Sequence, residues 1–252
     1  VKGAFSKIKK YPLDKSNVTV NDTDTNIKDY QNIALFGVDS QDNKITDTGS
    51  RTDCIIIASI HKSNHKVKLM SIDGEYDKIN AAYSYGGPEL ALRTINRNLD
   101  LNITDFATVN FKALADAVDV LGGIPLTITS EKELKNLNDY IGNMNHINGG
   151  NSPKFDKVGT YTFDGNQAVA YSRIRYMEGG DHARANHQRL VLEGIMNAAK
   201  KQPFKLGKLI STVLPQCKTS LSDNDLTKLT FSMARSSITD SQAYPFQSED
   251  ER

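Results

Sequence analysis

Hydrophobic residues along this 252-residue chain form short apolar runs that alternate with stretches of helical periodicity. Runs rich in Ile, Val and Phe that are bounded by polar residues are typical of buried β-strands. Lys62-Ser63-Asn64-His65 separates the second run from the third and suits a hairpin turn. On this pattern, the predicted strands are residues 33–38, 54–60, 66–72, 106–111 and 124–128.

Residues typical of helix ends bound the segments in which apolar residues recur with helical spacing. Gly87-Pro88 opens one segment, because proline fits the first turn of a helix, and Gly122-Gly123 ends another. Asp164 followed three residues later by Gln167 predicts a capping box. Residues 130–157, which are polar and rich in Asn and Gly, are expected to form an exposed insertion. The predicted helices are residues 88–99, 114–121, 164–172, 190–199, 203–214 and 223–235.

The alternation of strands and helices predicts an α/β fold in one domain, residues 28–252. Residues 1–27 combine a lysine-rich start with a polar stretch that has no periodicity. This segment is expected to be a solvated tail or, since clustered lysines are attracted to anionic lipid, a juxtamembrane tether. The longest apolar run has seven residues, 54–60, whereas a helix that spans a membrane needs roughly 20.

The composition excludes several functional classes. Lys and Arg total 31 against 30 acidic residues, so the net charge of +1 gives no support to nucleic-acid binding. Two cysteines are too few for a disulfide scaffold or a four-cysteine zinc site, and the five histidines lack the spacing of zinc ligands. The sequence also lacks the P-loop, GxGxxG and GxSxG motifs of nucleotide-binding proteins and serine hydrolases.

Arginine is concentrated in one part of the chain. Four of the nine arginines fall between positions 173 and 189, and residues 158–199 contain no lysine. Arginine is preferred to lysine where a planar fork binds a carboxylate or a phosphate through two hydrogen bonds. The cluster therefore indicates either an anion-binding site or ion pairs within the protein.

The spacing of these arginines constrains their secondary structure. Arg173 and Arg175 would point about 200° apart on a helix, so they face one ligand only if the helix ends just before them and leaves them extended. Asp181, Arg184 and Gln188 share one helix face, with Asp181 predicted as the N-cap. A helix N-terminus beside several arginines favours an anion.

Two aspartates adjoin the ends of predicted strands. Asp39 follows the first strand, and Asp53 precedes the second, two residues after Arg51. Ligands bind open α/β sheets where strands end, and Mg²⁺ takes one or two carboxylates together with phosphate oxygens. Magnesium binding is therefore one hypothesis for this pair, and the ordinary turn chemistry of aspartate is the other.

An ordered set of sequence motifs covers residues 31–200. It begins with Asn32-Ile-Ala-Leu-Phe-Gly-Val-Asp39-Ser40 and Arg51-Thr-Asp53. It continues with Lys78-Ile-Asn-Ala-Ala-Tyr-Ser-Tyr-Gly-Gly87, Val109-Asn-Phe111, Val118-Asp-Val-Leu-Gly-Gly123, Phe163-Asp-Gly-Asn-Gln-Ala168, Tyr171-Ser-Arg-Ile-Arg175, Gly180-Asp-His-Ala-Arg184 and His187-Gln-Arg189. In this order the motifs resemble the extracytoplasmic domain of the LytR-CpsA-Psr family of Gram-positive bacteria.

The resemblance implies a three-layer α/β/α sandwich around a mixed central sheet, behind an N-terminal transmembrane helix that is absent from this chain. It implies an enzyme at the extracytoplasmic face of the membrane. Such enzymes transfer glycopolymers, including teichoic acids and capsule polysaccharides, from a polyprenyl-pyrophosphate carrier to peptidoglycan with Mg²⁺. The acceptor is the muramic acid C6 hydroxyl, and the product is a phosphodiester.

The resemblance also assigns roles to individual residues. Asp39 and Asp53 match the family's metal-associated acids and, with Arg51, are expected to be catalytic. The residues expected to bind the pyrophosphate are Arg51, Arg173, Arg175, Arg184 and Gln188.

An apolar groove for the polyprenyl tail is expected along the helix that follows the arginines. Its candidate lining is Leu190, Val191 and Ile195, and an ordinary core is the alternative for the same residues. The sequence leaves two further functions open. One is a non-catalytic polyprenyl-phosphate binding protein, and the other is a pyrophosphatase that acts on the lipid carrier.

Two positions depart from the family pattern. The family carries an Arg-Asp pair after the strand that ends at Ile72, where this sequence has Asp73-Gly74-Glu75-Tyr76. Either the pair is absent, which would favour the binding protein, or the natural connection is longer, which the shortness of the segment favours. His187 stands where the family often has Arg, and it is expected to play a supporting polar role.

Overall fold

The computed structural model describes residues 5, 8–19, 21, 29–38, 45, 48, 52–72, 77–148, 150–175, 180–233 and 235–244. The chain divides into two compact units, of which the first comprises residues 1–111 and 214–252 and the second residues 112–213. In chain order the strands are β1 (Lys9–Lys10), β2 (Tyr30–Val38), β3 (Thr52–His61), β4 (Lys66–Ile72), β5 (Asp105–Asn110), β6 (Ile124–Ile128), β7 (Gly159–Phe163), β8 (Lys218–Thr219) and β9 (Ser237–Tyr244). The α-helices are α1 (Lys15–Val18), α2 (Asp77–Leu99), α3 (Phe111–Leu121), α4 (Glu131–Asn148), α5 (Gly165–Ser172), α6 (Gly180–Lys201), α7 (Leu206–Val213) and α8 (Asp223–Met233).

The first unit is built on a seven-stranded mixed sheet, counted over the described residues, with the order β1-β8-β5-β2-β3-β4-β9. The strand β2 runs antiparallel to β3 and parallel to β5, so it lies near the centre of the sheet. Its run of Ile, Leu, Phe and Val suits this place, because a central strand is covered on both faces. The predicted α/β fold with a mixed central sheet is therefore confirmed.

The core of the first unit packs α2 against this sheet. Phe36 on β2 lies between Tyr83 on α2 and Phe106 on β5, with ring centroids 5.2 and 6.1 Å apart. The buried Tyr83 hydroxyl is 3.1 Å from the Thr108 hydroxyl, so its polar atom is hydrogen-bonded. The helix bends at Gly87, where φ is +65°, just before Pro88, so the predicted helix start is the second half of a bent helix.

The N-terminal segment differs from the predicted solvated tail. Phe5, Ile8 and Val18 are buried, and β1 pairs with β8 in the sheet. The Lys15 ammonium lies 3.0 Å from the Asp105 carboxylate, so a lysine of this segment is tied to the unit. The described part of residues 1–27 is therefore docked on the first unit, whereas its place beside a membrane stays a prediction.

The second unit contains the β6–β7 antiparallel pair and helices α3 to α7. The predicted stop after α3 is confirmed, since Gly122 and Gly123 adopt φ of +83° and +95°. A Cβ at Gly123 would lie 2.9 Å from the Phe163 carbonyl oxygen, which explains the need for glycine there.

The expectation of an exposed insertion at residues 130–157 is wrong over most of its length. Residues 131–148 form α4, and the described residues that follow carry Phe155, whose ring stacks on that of Phe163 with centroids 4.7 Å apart. One face of α4 is buried in the core of this unit. The buried residues of that face are Leu134, Leu137, Ile141 and Met144.

Within the described ranges, none of the helices combines the length and the apolarity that crossing a membrane requires.

Candidate functional site

Asp53, one of the two predicted acidic residues, lies at one edge of the sheet in the first unit. Val38 at the end of β2 lies opposite Thr52 on β3 and Asn110 on β5, so the C-terminal ends of β2 and β5 share an edge with the start of β3. Asp53 is the second residue of β3 and is half-buried at that edge. Asp39 and Arg51 lie outside the described residues, as does the segment 73–76.

Asp53 supplies one carboxylate to a candidate magnesium site. Magnesium is bound in proteins by one or two carboxylates and keeps other positions for water or phosphate oxygens. Over the described ranges, no group of three or more His, Cys, Asp and Glu side chains is arranged to hold a metal ion. Magnesium binding by Asp39 and Asp53 therefore stays a prediction.

The end of α5 places the first arginines of the cluster in the second unit. The predicted capping box is confirmed, because Asp164 accepts from the Gln167 amide at 2.8 Å and the Gln167 side chain accepts from the Asp164 amide at 2.8 Å. The helix ends at Ser172, as the arginine spacing predicts, and Arg173 is its C-cap. Arg173 is half-buried and Arg175 is exposed.

The backbone at Arg173 is not extended as expected. Arg173 has φ of −99° and ψ of −7°, and its amide donates to the Ala170 carbonyl at 3.2 Å, so it continues the last turn of α5. The Arg173 guanidinium lies 3.6 Å from the sulfur of Met144 on α4. The buried side chain of Ile174 anchors the segment between the two arginines.

The remaining predicted anion ligands are on α6. Arg184 and Gln188 are one helical turn apart on the same face, and the Arg184 side chain is buried with 6% exposure while Gln188 is half-buried. The helix begins at Gly180 and so includes Asp181, which is therefore not the predicted N-cap. The neighbouring Arg189 is also buried, and its guanidinium donates to Asn186 at 3.1 Å.

A buried hydrogen bond joins α4 to α6 beside these ligands. Nε2 of His187 lies 2.8 Å from Oε1 of Glu133, and the two residues are 5% and 1% exposed. The second carboxylate oxygen of Glu133 accepts from the amide and the hydroxyl of Thr129, both at 2.6 Å. Both oxygens of Glu133 are thus engaged, which satisfies a charge that is otherwise costly to bury.

An aromatic contact adds α5 to this cluster. The rings of Tyr171 and His187 are 4.3 Å apart, and the Tyr171 hydroxyl donates to the Thr127 carbonyl at 3.2 Å. Tyr171 lies two residues before Arg173, and His187 lies between Arg184 and Gln188. The contact therefore joins the end of α5, which Arg173 follows, to the first half of α6, which carries Arg184 and Gln188.

The electrostatics of the cluster keep Glu133 ionised. Burial alone raises the pKa of Glu133, but hydrogen bonds from His187 and Thr129 outweigh it and lower the pKa to about 2. Burial, together with the nearby Glu133 charge, raises the pKa of the Tyr171 phenol, which therefore stays protonated. Because an ionised carboxylate only accepts, Nε2 of His187 is the donor of the shared hydrogen bond.

Glu133 is not among the site residues predicted from the sequence, because residues 130–157 are interpreted there as an insertion. A signal was present in Ser130-Glu-Lys-Glu133, where a serine is followed three residues later by a glutamate before an apolar periodic run. The Glu133 amide donates to the Ser130 hydroxyl at 3.2 Å, as in a capped helix start. This signal would have placed Glu133 in the first turn of a helix.

The predicted lipid-groove residues lie further along α6. Val191 is buried, whereas Leu190 and Ile195 are half-buried. A Cβ built on Gly194 would come within 3.0 Å of Ile124, so this part of α6 packs closely on β6. Val191 thus belongs to the core of the unit, and the groove stays a prediction.

The chain was compared with known proteins. It matches the LytR_cpsA_psr family over residues 2–251. It is 28% identical over 228 residues to the polyisoprenyl-teichoic acid–peptidoglycan teichoic acid transferase TagU of Enterococcus faecalis, a match that covers 85% of this chain and 68% of that protein. The TagU of Bacillus licheniformis, with the same name, is 30% identical over 227 residues, which cover 85% of this chain and 67% of that protein.

The fold agrees with this match. A solved structure of TagT bound to LI-WTA is 25% identical, superposes with a TM-score of 0.66, and covers 90% of this chain and 81% of that chain. The family match extends over nearly the whole sequence, and the relatives share its mixed α/β architecture. The chain therefore belongs to the LytR_cpsA_psr family.

Proposed function

We propose that this protein is a phosphotransferase that moves a glycopolymer from a polyprenyl-pyrophosphate carrier to peptidoglycan. The observation that supports the proposal is the Tyr171–His187 contact, which joins the end of α5, where Arg173 lies, to the part of α6 that carries Arg184 and Gln188. A basic cluster without lysine suits a diphosphate, because each guanidinium binds phosphate oxygens through two hydrogen bonds. The names of the two TagU relatives, which specify a polyisoprenyl-linked donor and peptidoglycan, support the same reaction class.

The arginines would bind the diphosphate and stabilise the negative charge that develops on the leaving phosphate. Arg173 and Arg184 are half-buried and buried, so their charges are less screened by water than those of a surface arginine. Gln188, which lies on the same helix face as Arg184, would donate its amide hydrogens to a phosphate oxygen. Arg51 and the exposed Arg175 complete the proposed set.

The transfer would exchange one phosphorus–oxygen bond for another. The muramic acid C6 hydroxyl attacks the sugar-linked phosphorus, the bond to the bridging oxygen breaks, and polyprenyl phosphate leaves. Asp39 or Asp53 would accept the proton of the hydroxyl. Magnesium, held by the same two aspartates, would supply a Lewis acid for the phosphate oxygens.

The same proposal gives the protein a location. A carrier with a polyprenyl tail lies in a membrane, and peptidoglycan lies outside it, so the domain would work at the extracytoplasmic face of a Gram-positive cell. An N-terminal membrane anchor and the polyprenyl groove on α6 belong to this proposal.

A transfer assay tests the proposal. Purified protein, Mg²⁺ and a polyprenyl-pyrophosphoryl oligosaccharide are incubated with peptidoglycan fragments, and the products are identified by mass spectrometry. We expect a phosphodiester-linked conjugate that is lost with EDTA and in Arg173→Ala. Arg93 on α2 is exposed and lies far from Arg173 in the sequence. Arg93→Ala also removes one positive charge, and this variant is expected to keep the transfer activity.

Each other product pattern contradicts the proposal in a distinct way. Free phospho-oligosaccharide and polyprenyl phosphate, formed without acceptor, would identify a pyrophosphatase. Uncleaved lipid retained on the protein would identify a binding protein. Transfer that survives in Arg173→Ala would remove the arginine cluster from the site.

A further inference from the structure

Positive charge is concentrated on one segment of the second unit, away from the arginine cluster. Residues 194–213 contain four lysines and no aspartate or glutamate, in a chain whose net charge is only +1. The segment includes the end of α6, a short 3-10 helix at Pro203–Lys205 and the whole of α7. Lys200, Lys201 and Lys208 are exposed.

A large aromatic side chain is exposed in the middle of these lysines. Phe204 is 78% exposed, and it follows Pro203 directly, with Lys201 and Lys205 on either side in the sequence. A phenylalanine in this position leaves most of its apolar surface in water, at a cost that burial would remove. Isolated exposed apolar residues are ordinary, but one whose charged neighbours in the sequence are all lysines indicates a binding surface.

The turn that carries Phe204 is fixed to the body of the unit. The side chains of Gln202 and Lys205 both donate to the Leu121 carbonyl at the end of α3, each at 3.0 Å. The Lys205 amide donates to the Gln202 carbonyl at 2.9 Å, which closes the 3-10 turn. Phe204 is therefore held in the solvent by an ordered turn, and its exposure is not the result of a frayed end.

The following helix has the same two-sided character. On α7, Leu206, Leu209, Ile210 and Val213 occupy one face and are half-buried, whereas Lys208 and Ser211 are exposed. Over its described length, α7 buries no side chain completely. An amphipathic helix with lysines beside an exposed aromatic residue is the pattern of a segment that lies on a bilayer.

We propose that Lys200, Lys201, Phe204 and Lys208 form a lipid-contact surface that binds an anionic bilayer. Lysine ammonium groups are compact charges that suit diffuse attraction to anionic headgroups. Transfer of Phe204 out of water is favourable only if an apolar phase lies beneath those headgroups. A soluble polyanion has no such phase. This difference favours a bilayer over an anionic polymer as the occupant, and it does not depend on the transferase activity.

Vesicle sedimentation tests the surface directly. The whole chain is mixed with phosphatidylcholine vesicles, with or without phosphatidylglycerol, at increasing salt. We expect binding only to the anionic vesicles, and weaker binding at high salt. Phe204→Ser is expected to raise the apparent Kd about tenfold. In a double variant with Lys200→Ser and Lys201→Ser, each lost lysine is expected to raise the apparent Kd about fivefold.

Ile147→Ser is the matched control, since Ile147 on α4 is also a largely exposed apolar residue of the second unit but has no lysine beside it. It is expected to bind vesicles as the unmodified chain does. All these positions are exposed, so circular dichroism of each variant should match that of the unmodified chain.

Three results would overturn the proposal. One is equal affinity for neutral and anionic vesicles, and another is a loss in Ile147→Ser as large as in Phe204→Ser. The third is displacement from the vesicles by inorganic polyphosphate together with an unchanged affinity of Phe204→Ser, which would identify a polyanion-binding surface. Each result is independent of the transfer assay, so failure here leaves the proposed function untouched.

Discussion

Replacement of Glu133 by glutamine removes one charge from the buried cluster and changes little else in size. The variant keeps one carbonyl acceptor but puts an amide NH₂ where the carboxylate accepted a hydrogen bond. One oxygen of Glu133 faces Nε2 of His187 and the other faces the amide and hydroxyl of Thr129, all of them donors to the carboxylate. Turned towards Thr129, the new NH₂ meets the donor of the Thr129 amide. Turned towards His187, it is accepted only if the imidazole proton moves to Nδ1, which has no hydrogen-bond partner among the described residues.

The magnitude follows from the pKa of Glu133. Burial raises this pKa, but hydrogen bonds from His187 and Thr129 lower it by more, so it falls from the ordinary value of 4.5 to about 2. At about 1.36 kcal/mol for each pKa unit, the ionised carboxylate stabilises the folded state by about 3 kcal/mol.

The sign of the pH dependence is fixed by the lowered pKa. The stabilisation is fully present above pH 4.5, where the unfolded chain is also ionised, and it is lost as the pH falls towards 2. The free-energy difference between the unmodified chain and Glu133→Gln should thus be constant from pH 7 to about pH 5 and shrink below it.

Urea unfolding followed by far-ultraviolet circular dichroism measures this difference, since the chain has no Trp. Glu131→Gln, an exposed glutamate in the first turn of the same helix, is the control and should cost less than about 1 kcal/mol. A double-mutant cycle with His187→Gln isolates the coupling between the two side chains. Equal losses of stability in Glu133→Gln and Glu131→Gln would refute the reasoning. So would a stability difference between the unmodified chain and Glu133→Gln that does not change with pH.

Three further predictions concern the metal, a helix cap and a thiol. Asp53→Ala should weaken the lipid-dependent binding of Mg²⁺ in calorimetric titrations with a polyprenyl diphosphate, and an unchanged affinity would exclude Asp53 as a ligand. Asp164→Ala removes the capping box of α5 and should lower stability by about 0.5–2 kcal/mol in thermal unfolding, whereas the exposed Asp156→Ala should have little effect. Burial raises the pKa of Cys217 to about 12, so iodoacetamide at pH 8 should label the half-buried Cys54 first, and equal rates would contradict the burial of Cys217.

Strand prediction succeeded where a strand carries a run of apolar residues. The predicted strand 66–72 is β4, and residues 33–38 and 54–60 lie within β2 and β3. The strand β9 was missed because its sequence, Ser-Ile-Thr-Asp-Ser-Gln-Ala-Tyr, has no apolar run. It forms by parallel pairing with β4, and such pairing across distant parts of the chain leaves no local signal.

Prediction of the site was limited by a different effect. Residue type and spacing were sufficient to find Arg173, Arg184 and Gln188 as candidates and to place the end of α5 before Arg173. They did not find Glu133, because glutamate is usually exposed and its partner His187 is 54 positions away. A buried polar network is defined by tertiary contacts, so only the fold shows which histidine and which glutamate meet.

The first unit is assembled from two parts of the chain that are far apart in sequence. The pairing of β5 with β8 joins Ala107 to Thr219, and that of β4 with β9 joins Leu69 to Ser241. During synthesis the whole second unit leaves the ribosome before β8 and β9 do. Until these strands are made, the backbone N–H and C=O groups at the outer edges of β5 and β4 have no strand to pair with. The nascent chain therefore passes through a stage at which two sheet edges are open to other chains, and its yield depends on how quickly the C-terminal strands close them.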